Sequence, residues 1–446
     1  MGNTLFNEYL EDLQKLITIN SVKSTPQVNA PYGEGVERAF SYVKQLAESF
    51  GFHVSHLDHK VLIVDFSQQK FDEYIGVFSH IDLVSVEDTD RWVAPPFAGE
   101  IKNDRMYGRG TLDNKGPTLA ILYAMKQLKD QGFRPRKGIR LVIGGDEESG
   151  MNCLQTYREK MPAPVFGFTP AAYFPVTTRE QGIMTIEVKL PLSNQTAIDS
   201  VEVGFSSNVK PQSGSYTVHL SENQTVETIE QFEGVQQVDE FDVPQRVNVK
   251  VLDENREAIT IVTNHLRTLF RRTEAETEKS VTLIQSLLLD ESGESLALDC
   301  RDEDGELTMK ATRLLTEEER LTVTLDLRYP ASFTEEVMKE KLDQGMKQQD
   351  LDYTIENAKP PVHFDTDHSM VQQLLEVYEE VTGRSEKPAA ISGGTYARIY
   401  PDRVIAFGAV YPGEPVTAHQ TNESVPLYMM KDWLLIYEKA IRKLSQ

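Results

Sequence analysis

The chain has 446 residues, 39% of them hydrophobic and 26% charged, with a formal net charge of -23. That length suits two domains, or one domain with a large insertion, and the composition is that of a globular chain without a bias to disorder. The charge argues against nucleic acid or an anionic membrane as partner, because phosphate binding needs concentrated Lys and Arg.

The N-terminal "NTLFNEYLEDLQKLITI" reads as an amphipathic helix with acidic residues, unlike a signal peptide. No apolar run approaches the roughly 20 residues that span a bilayer. "GVERAFSYVKQLAESFG" is a second amphipathic helix ended by Gly51, and "YIGVFSHIDLV" a short strand-type run. "PTLAILYAMKQLKDQG" has proline at its start and glycine at its end, the asymmetry expected of a helix. "GIRLVIGG" then reads as a buried strand. From about Ile183 to Arg328 the texture becomes alternating and polar, with one helical stretch, "AITIVTNHLRTLFRR", after which helix–strand alternation resumes. The expected fold is α/β: a mixed-sheet catalytic domain, 1–182 and 330–446, interrupted by an α+β inserted domain, 183–329. Cys153 and Cys300 are the only cysteines and form no C-x-x-C pair, so a reducing cytoplasm is the simplest expectation.

Three segments carry chemistry. "SHIDLV" sets His80 and Asp82 on one side of a strand end. "MYGRGTLDNKGP" brings Asp113 to a glycine-rich loop before a helix, and "GGDEESG" stacks Asp146, Glu147 and Glu148 behind a strand. Singly, these are a hydrogen-bonded pair, a helix-cap residue and an acidic turn. Together, imidazole and carboxylates at strand ends supply the donors that zinc, cobalt or manganese prefer. A divalent cation also offsets the repulsion among the acids.

"SHIDLV…YGRGTLDNKGP…GGDEESG" resembles the metal-binding core of the dinuclear metallopeptidases that include aminoacylase, glutamate carboxypeptidase and the dipeptidases. "GFTPAAYFP", "LDLRYP", "SGGTYARIYPDRVIAFG" and "YPGEPVTAHQTNE" are similar to the dipeptidase V (PepV) type. The resemblance implies a zinc-peptidase-like domain with the inserted domain as lid. It implies that Asp113 bridges two metals, with His80 on one and Glu148 and His419 on the other, that Asp82 orients His80, and that Glu147 is the general base. Arg328 and Asn208 are implied to bind the substrate's free carboxylate, and Gly393, Gly394 and Thr395 to line its pocket. The implied function is hydrolysis of dipeptides or short peptides by a soluble protein, for which a monomer is expected. A catalytically impaired peptide- or metal-binding protein and an N-acyl amino acid deacylase are the alternatives.

Two positions depart from that pattern. Ala171 stands where the family has an aspartate ligand after the proline, leaving Tyr173 and Glu180 as the nearest oxygen donors. One metal, on Asp113, Glu148 and His419, is therefore the economical expectation, with a second if water or Glu180 substitutes. The lid histidine of the family has no counterpart; His265, in a helix with Ile261 and Leu269, reads as scaffold. Loss of an oxyanion donor costs ~10²–10³ in rate, so either turnover is slow or other groups stabilise the oxyanion.

Overall fold

The computed structural model describes residues 3–86, 89–191, 198–204, 213–222, 224–241, 245–252, 258–270, 286–287, 290–303, 305–317 and 320–446. The chain gathers into two compact units, Met1–Arg179 with Val362–Gln446, and Glu180–Pro361.

The first unit is built on strands β1 (His53–Leu57), β2 (Val61–Asp65), β3 (Tyr74–His80), β4 (Glu100–Lys102), β5 (Arg105–Tyr107), β6 (Gly138–Gly144) and β7 (Phe166–Thr169). Its main sheet runs β1, β2, β6, β3, β7 and continues through Val404–Ala406. β3 pairs in parallel with β6 and β7, while β1 and β2 join antiparallel at the edge. Every residue of β3 is buried, as expected of a parallel strand covered on both faces. One cover is helix α3 (Lys115–Asp130), apolar on almost every side, which packs against α1 (Asn3–Ile17) and the C-terminal helix Leu427–Leu444. Pro117 lies in its first turn, and Gly132 takes the left-handed φ of 70° just beyond its end. A smaller sheet joins β4, β5 and Ser424–Pro426, with Tyr107 paired to Ser424.

The second unit holds an antiparallel sheet of eight strands among the described residues, in the order Val235–Glu240, Arg246–Leu252, Ser213–His219, Ile198–Val203, Thr308–Glu317, Arg320–Tyr329, Gly182–Pro191, Asp352–Lys359. Helix Ala258–Phe270 packs on the second and third of these through a face that includes Val262 and Leu266. His265 of that helix is buried against Tyr216 and Phe232, 3.2 Å from the Tyr216 hydroxyl through Nδ1.

The chain re-enters the first unit at Val362, later than the position 330 expected from sequence. Strand Asp352–Lys359 pairs with Gly182–Pro191, from Ile183 opposite Lys359 to Lys189 opposite Asp352, and helix Glu335–Gln349 stays with it. Helix–strand alternation signals a βα unit but does not say which sheet the strand joins. No helix of the described residues is long and apolar enough to cross a membrane.

Candidate metal centre

The parallel register sets His80 opposite Gly144, so β3 and β6 end level and their following loops leave the sheet together. Gly144 is required there: a Cβ would overlap the Tyr396 hydroxyl and come within 2.6 Å of Cys153 Sγ. Beyond the strand ends, fully buried Asp82 accepts the backbone N–H groups of Glu147 and Glu148, each at 3.1 Å, and lies 3.4 Å from His80 Nδ1. One carboxylate thus aims the imidazole and fixes the backbone of the tandem glutamates, the supporting role that metal-ligating histidines need.

Asp113 sits on the loop between β5 and α3, held from below by Glu423. Glu423 Oε1 accepts the N–H groups of Gly110, Leu112 and Asp113 at 3.0, 2.9 and 3.1 Å, and Oε2 accepts from Arg109 Nη1 at 2.7 Å. Burial pushes Glu423 up to about 7, against the pull of Arg109 and those amides. The small sheet explains its arrival: Ser424 pairs with Tyr107, so Glu423 turns back under the loop that follows β5. Asn114, joined to Asp113 by a cis peptide bond, accepts from Ser79 Oγ at 2.6 Å and donates to Pro170 O at 2.9 Å. That side chain ties together β3, the Asp113 loop and the segment after β7.

The two oxygens of Asp113 face two imidazoles, Oδ1 at 3.0 Å from His80 Nε2 and Oδ2 at 3.1 Å from His419 Nε2. His419 Nε2 is also 3.0 Å from Glu148 Oε1. The charges acting on this group are largely its own. Burial would lower His80, but hydrogen bonds to Asp113 and Asp82 hold it well above the usual imidazole range. Hydrogen bonds to Asp113 and Glu148 push His419 up to about 11. Against burial, the two histidines hold Asp113 well below the usual carboxylate range. Burial drives Glu148 upward and Glu147 up to about 8, with neighbouring carboxylates adding to both.

The donor set fits a divalent cation. One ligand atom each of His80, Asp113 and Glu148 lies within 4.8 Å of the others, and His419 joins through Asp113 and Glu148.

Ala171 lines a cavity of about 380 Å³ together with Asp113, Asn114 and Gly393, so a methyl group stands beside the aspartate. Gly393 has open space at its Cα; after Gly394, buried Thr395 uses its hydroxyl to accept the Ala397 N–H at 3.1 Å and cap a short turn. Arg328 belongs to the second unit, where its Nε is 2.9 Å from Asp326 Oδ2. Asn208 lies outside the described residues.

Sequence reasoning missed Glu423, Arg109, Asn114 and Tyr396. Tyr396 is buried in "SGGTYAR", with its ring edge-on to His80 at 6.0 Å and its hydroxyl 3.1 Å from Cys153 Sγ. The available signal for Glu423 was an acid beside a strand-forming "SVP"; an acid buried there needs several donors.

This fold and this cluster define a metallopeptidase. The chain belongs to the peptidase family M20/M25/M40, whose profile matches residues 76–443. It is 29% identical over 462 residues to "Putative dipeptidase YtjP" of Bacillus subtilis (strain 168), covering 98% of this chain and 97% of that protein. It is 30% identical over 464 residues to "Putative dipeptidase SSP1012" of Staphylococcus saprophyticus, covering 98% and 96%. Its fold matches the M20 family metallo-carboxypeptidase Sso-CP2 of Sulfolobus solfataricus with a TM-score of 0.61 at 17% identity, over 98% of each chain. The protein is an enzyme, and these relatives give no support to the binding-protein and deacylase alternatives.

Proposed function

We propose that this enzyme is a dipeptidase of the dipeptidase V type, cleaving short peptides with a divalent metal, zinc by donor preference, on Asp113, Glu148, His419 and His80. The observation that carries the reading is the pair of Asp113 oxygens turned toward two imidazoles, with Glu148 closing on one of them. A cation bound there supplies Lewis acidity, acidifying a water and polarising the scissile carbonyl.

The chain's own residues do the rest. Glu147, buried beside Glu148 and Asp113, acts as the general base. It takes a proton from the attacking water as oxygen bonds to the carbonyl carbon, then returns it to the amide nitrogen as the C–N bond breaks. Asp82 holds His80 and the glutamate backbone still, and Glu423 does the same for Asp113. The cavity beside Asp113, walled by Leu112, Pro170, Ala171, Ala172, Ile391 and Val410, is suited to an apolar residue of the peptide. Arg328, by its motif, takes the free carboxylate. The buried free thiols of Cys153 and Cys300 suit a reducing cytoplasm.

The test is turnover of an apolar dipeptide by metal-stripped protein before and after zinc, cobalt or manganese is added. Metal-dependent release of both amino acids is expected; absence of turnover with every metal would overturn the proposal.

A further inference from the structure

A second group of donors lies at the edge of the same sheet and at the same end as His80, two strands along: Val61, which follows the hairpin turn, pairs with Gly144, and Gly144 pairs with His80. Helix α2 (Glu34–Ser49) presents Glu37 to the hairpin of β1 and β2, whose sequence "HVSHLDHK" contributes His56 from the strand and His59 from the turn. His59 Nδ1 is 3.2 Å from Glu37 Oε2, and His56 Nδ1 is 4.0 Å from Glu37 Oε1. The two rings stand 4.9 Å apart at 60°, and one ligand atom from each of the three residues lies within 4.8 Å of the others.

A zinc-type ion with bonds of about 2.1 Å wants donors about 3.4 Å apart. The Glu37–His59 pair meets that spacing, and His56, 4.0 Å from the other Glu37 oxygen, lies somewhat beyond it. His56 has its ring edge-on to Phe40, 5.0 Å between centroids, which fixes its plane, and its buried Nε2 has no hydrogen-bond partner among the described residues. An imidazole gaining no hydrogen bond from burial is a cost unless its other nitrogen finds a strong partner. Lys44, the cation that faces His56, is itself 3.9 Å from Glu48. His59 is only partly covered, so the group is open to ions from solvent.

We propose that Glu37, His56 and His59 form a second metal site, taking a borderline divalent cation such as zinc with an open position for water. It ties the tip of the β1–β2 hairpin to α2. Its role is to bind and staple. Its donors are distinct from His80, Asp113, Glu148 and His419.

The test uses the full chain, stripped of metal and titrated with zinc against a chromophoric chelator. His59→Asn is the first variant, because asparagine tolerates the left-handed φ of 54° at this turn and is a poor zinc ligand. Glu37→Gln is the second and leaves the turn untouched. Wild type is expected to bind one equivalent more than either variant, with dipeptide turnover at saturating metal within twofold of wild type. Equal zinc stoichiometry in wild type and both variants would overturn the proposal. So would loss of turnover in step with the lost equivalent, since the site would then not be separate.

Discussion

The Asp113 centre and the Glu37 hairpin group both set two imidazoles around a carboxylate, and what surrounds the donors separates them. At Asp113, Asp82 and Glu423 are completely buried and hold the donors' loops through five backbone N–H groups. An additional acid, Glu147, stands beside the ligands, and a cavity opens alongside. At Glu37 the donors rest on a helix and a hairpin tip, with Phe40 as their packing partner. Donor type makes a place for a cation; a rigid shell, a base and a cavity make one that can catalyse.

Glu147→Gln sharpens that difference most. Removing the proposed base while leaving the proposed ligands should lower kcat by ~10²–10⁴, with metal content by elemental analysis unchanged. A variant of normal turnover would move the base elsewhere. Glu423→Gln tests the shell: it leaves Arg109, 3% exposed, without its partner, and breaking a buried pair costs about 3–5 kcal/mol. The melting temperature should fall, and metal affinity should weaken by ~10–100-fold if holding the Asp113 loop matters. A stability loss with unaltered affinity would make Glu423 purely a fold residue.

Arg328→Lys keeps the charge but loses the fork, so KM for dipeptides should rise about tenfold with kcat little changed. Unchanged KM would remove Arg328 from substrate binding. Ala171→Asp tests the resemblance at that position: if Ala171 stands in a ligand position, zinc bound per chain should rise by one equivalent. Unchanged stoichiometry in a folded variant would show that Ala171 does not occupy a ligand position.

Much of the Asp113 centre was legible in the sequence because its parts are local. Strand ends, a glycine-rich loop and tandem acids mark His80, Asp82, Asp113, Glu147 and Glu148 within short windows, and resemblance supplied His419. Glu423 and Asn114 were not legible, because their role is set by partners brought from distant strands: the 107–424 pairing for one, Ser79 and Pro170 for the other. The fold divides the same way. Helices α1 to α3 and strands β3 and β6 follow from periodicity, whereas the allegiance of Asp352–Lys359 depends on an antiparallel pairing with Gly182–Pro191 across much of the chain. The hairpin group went unread because "HVSHLDHK" becomes a donor set only when α2 brings Glu37 across.

The account rests on a cation at Asp113, and an anomalous difference map from zinc-soaked crystals of the full chain tests it directly. We expect a peak bounded by Asp113, Glu148 and His419. A map without density there, with Asp113 and Glu148 still hydrogen-bonded to protonated imidazoles, would contradict it.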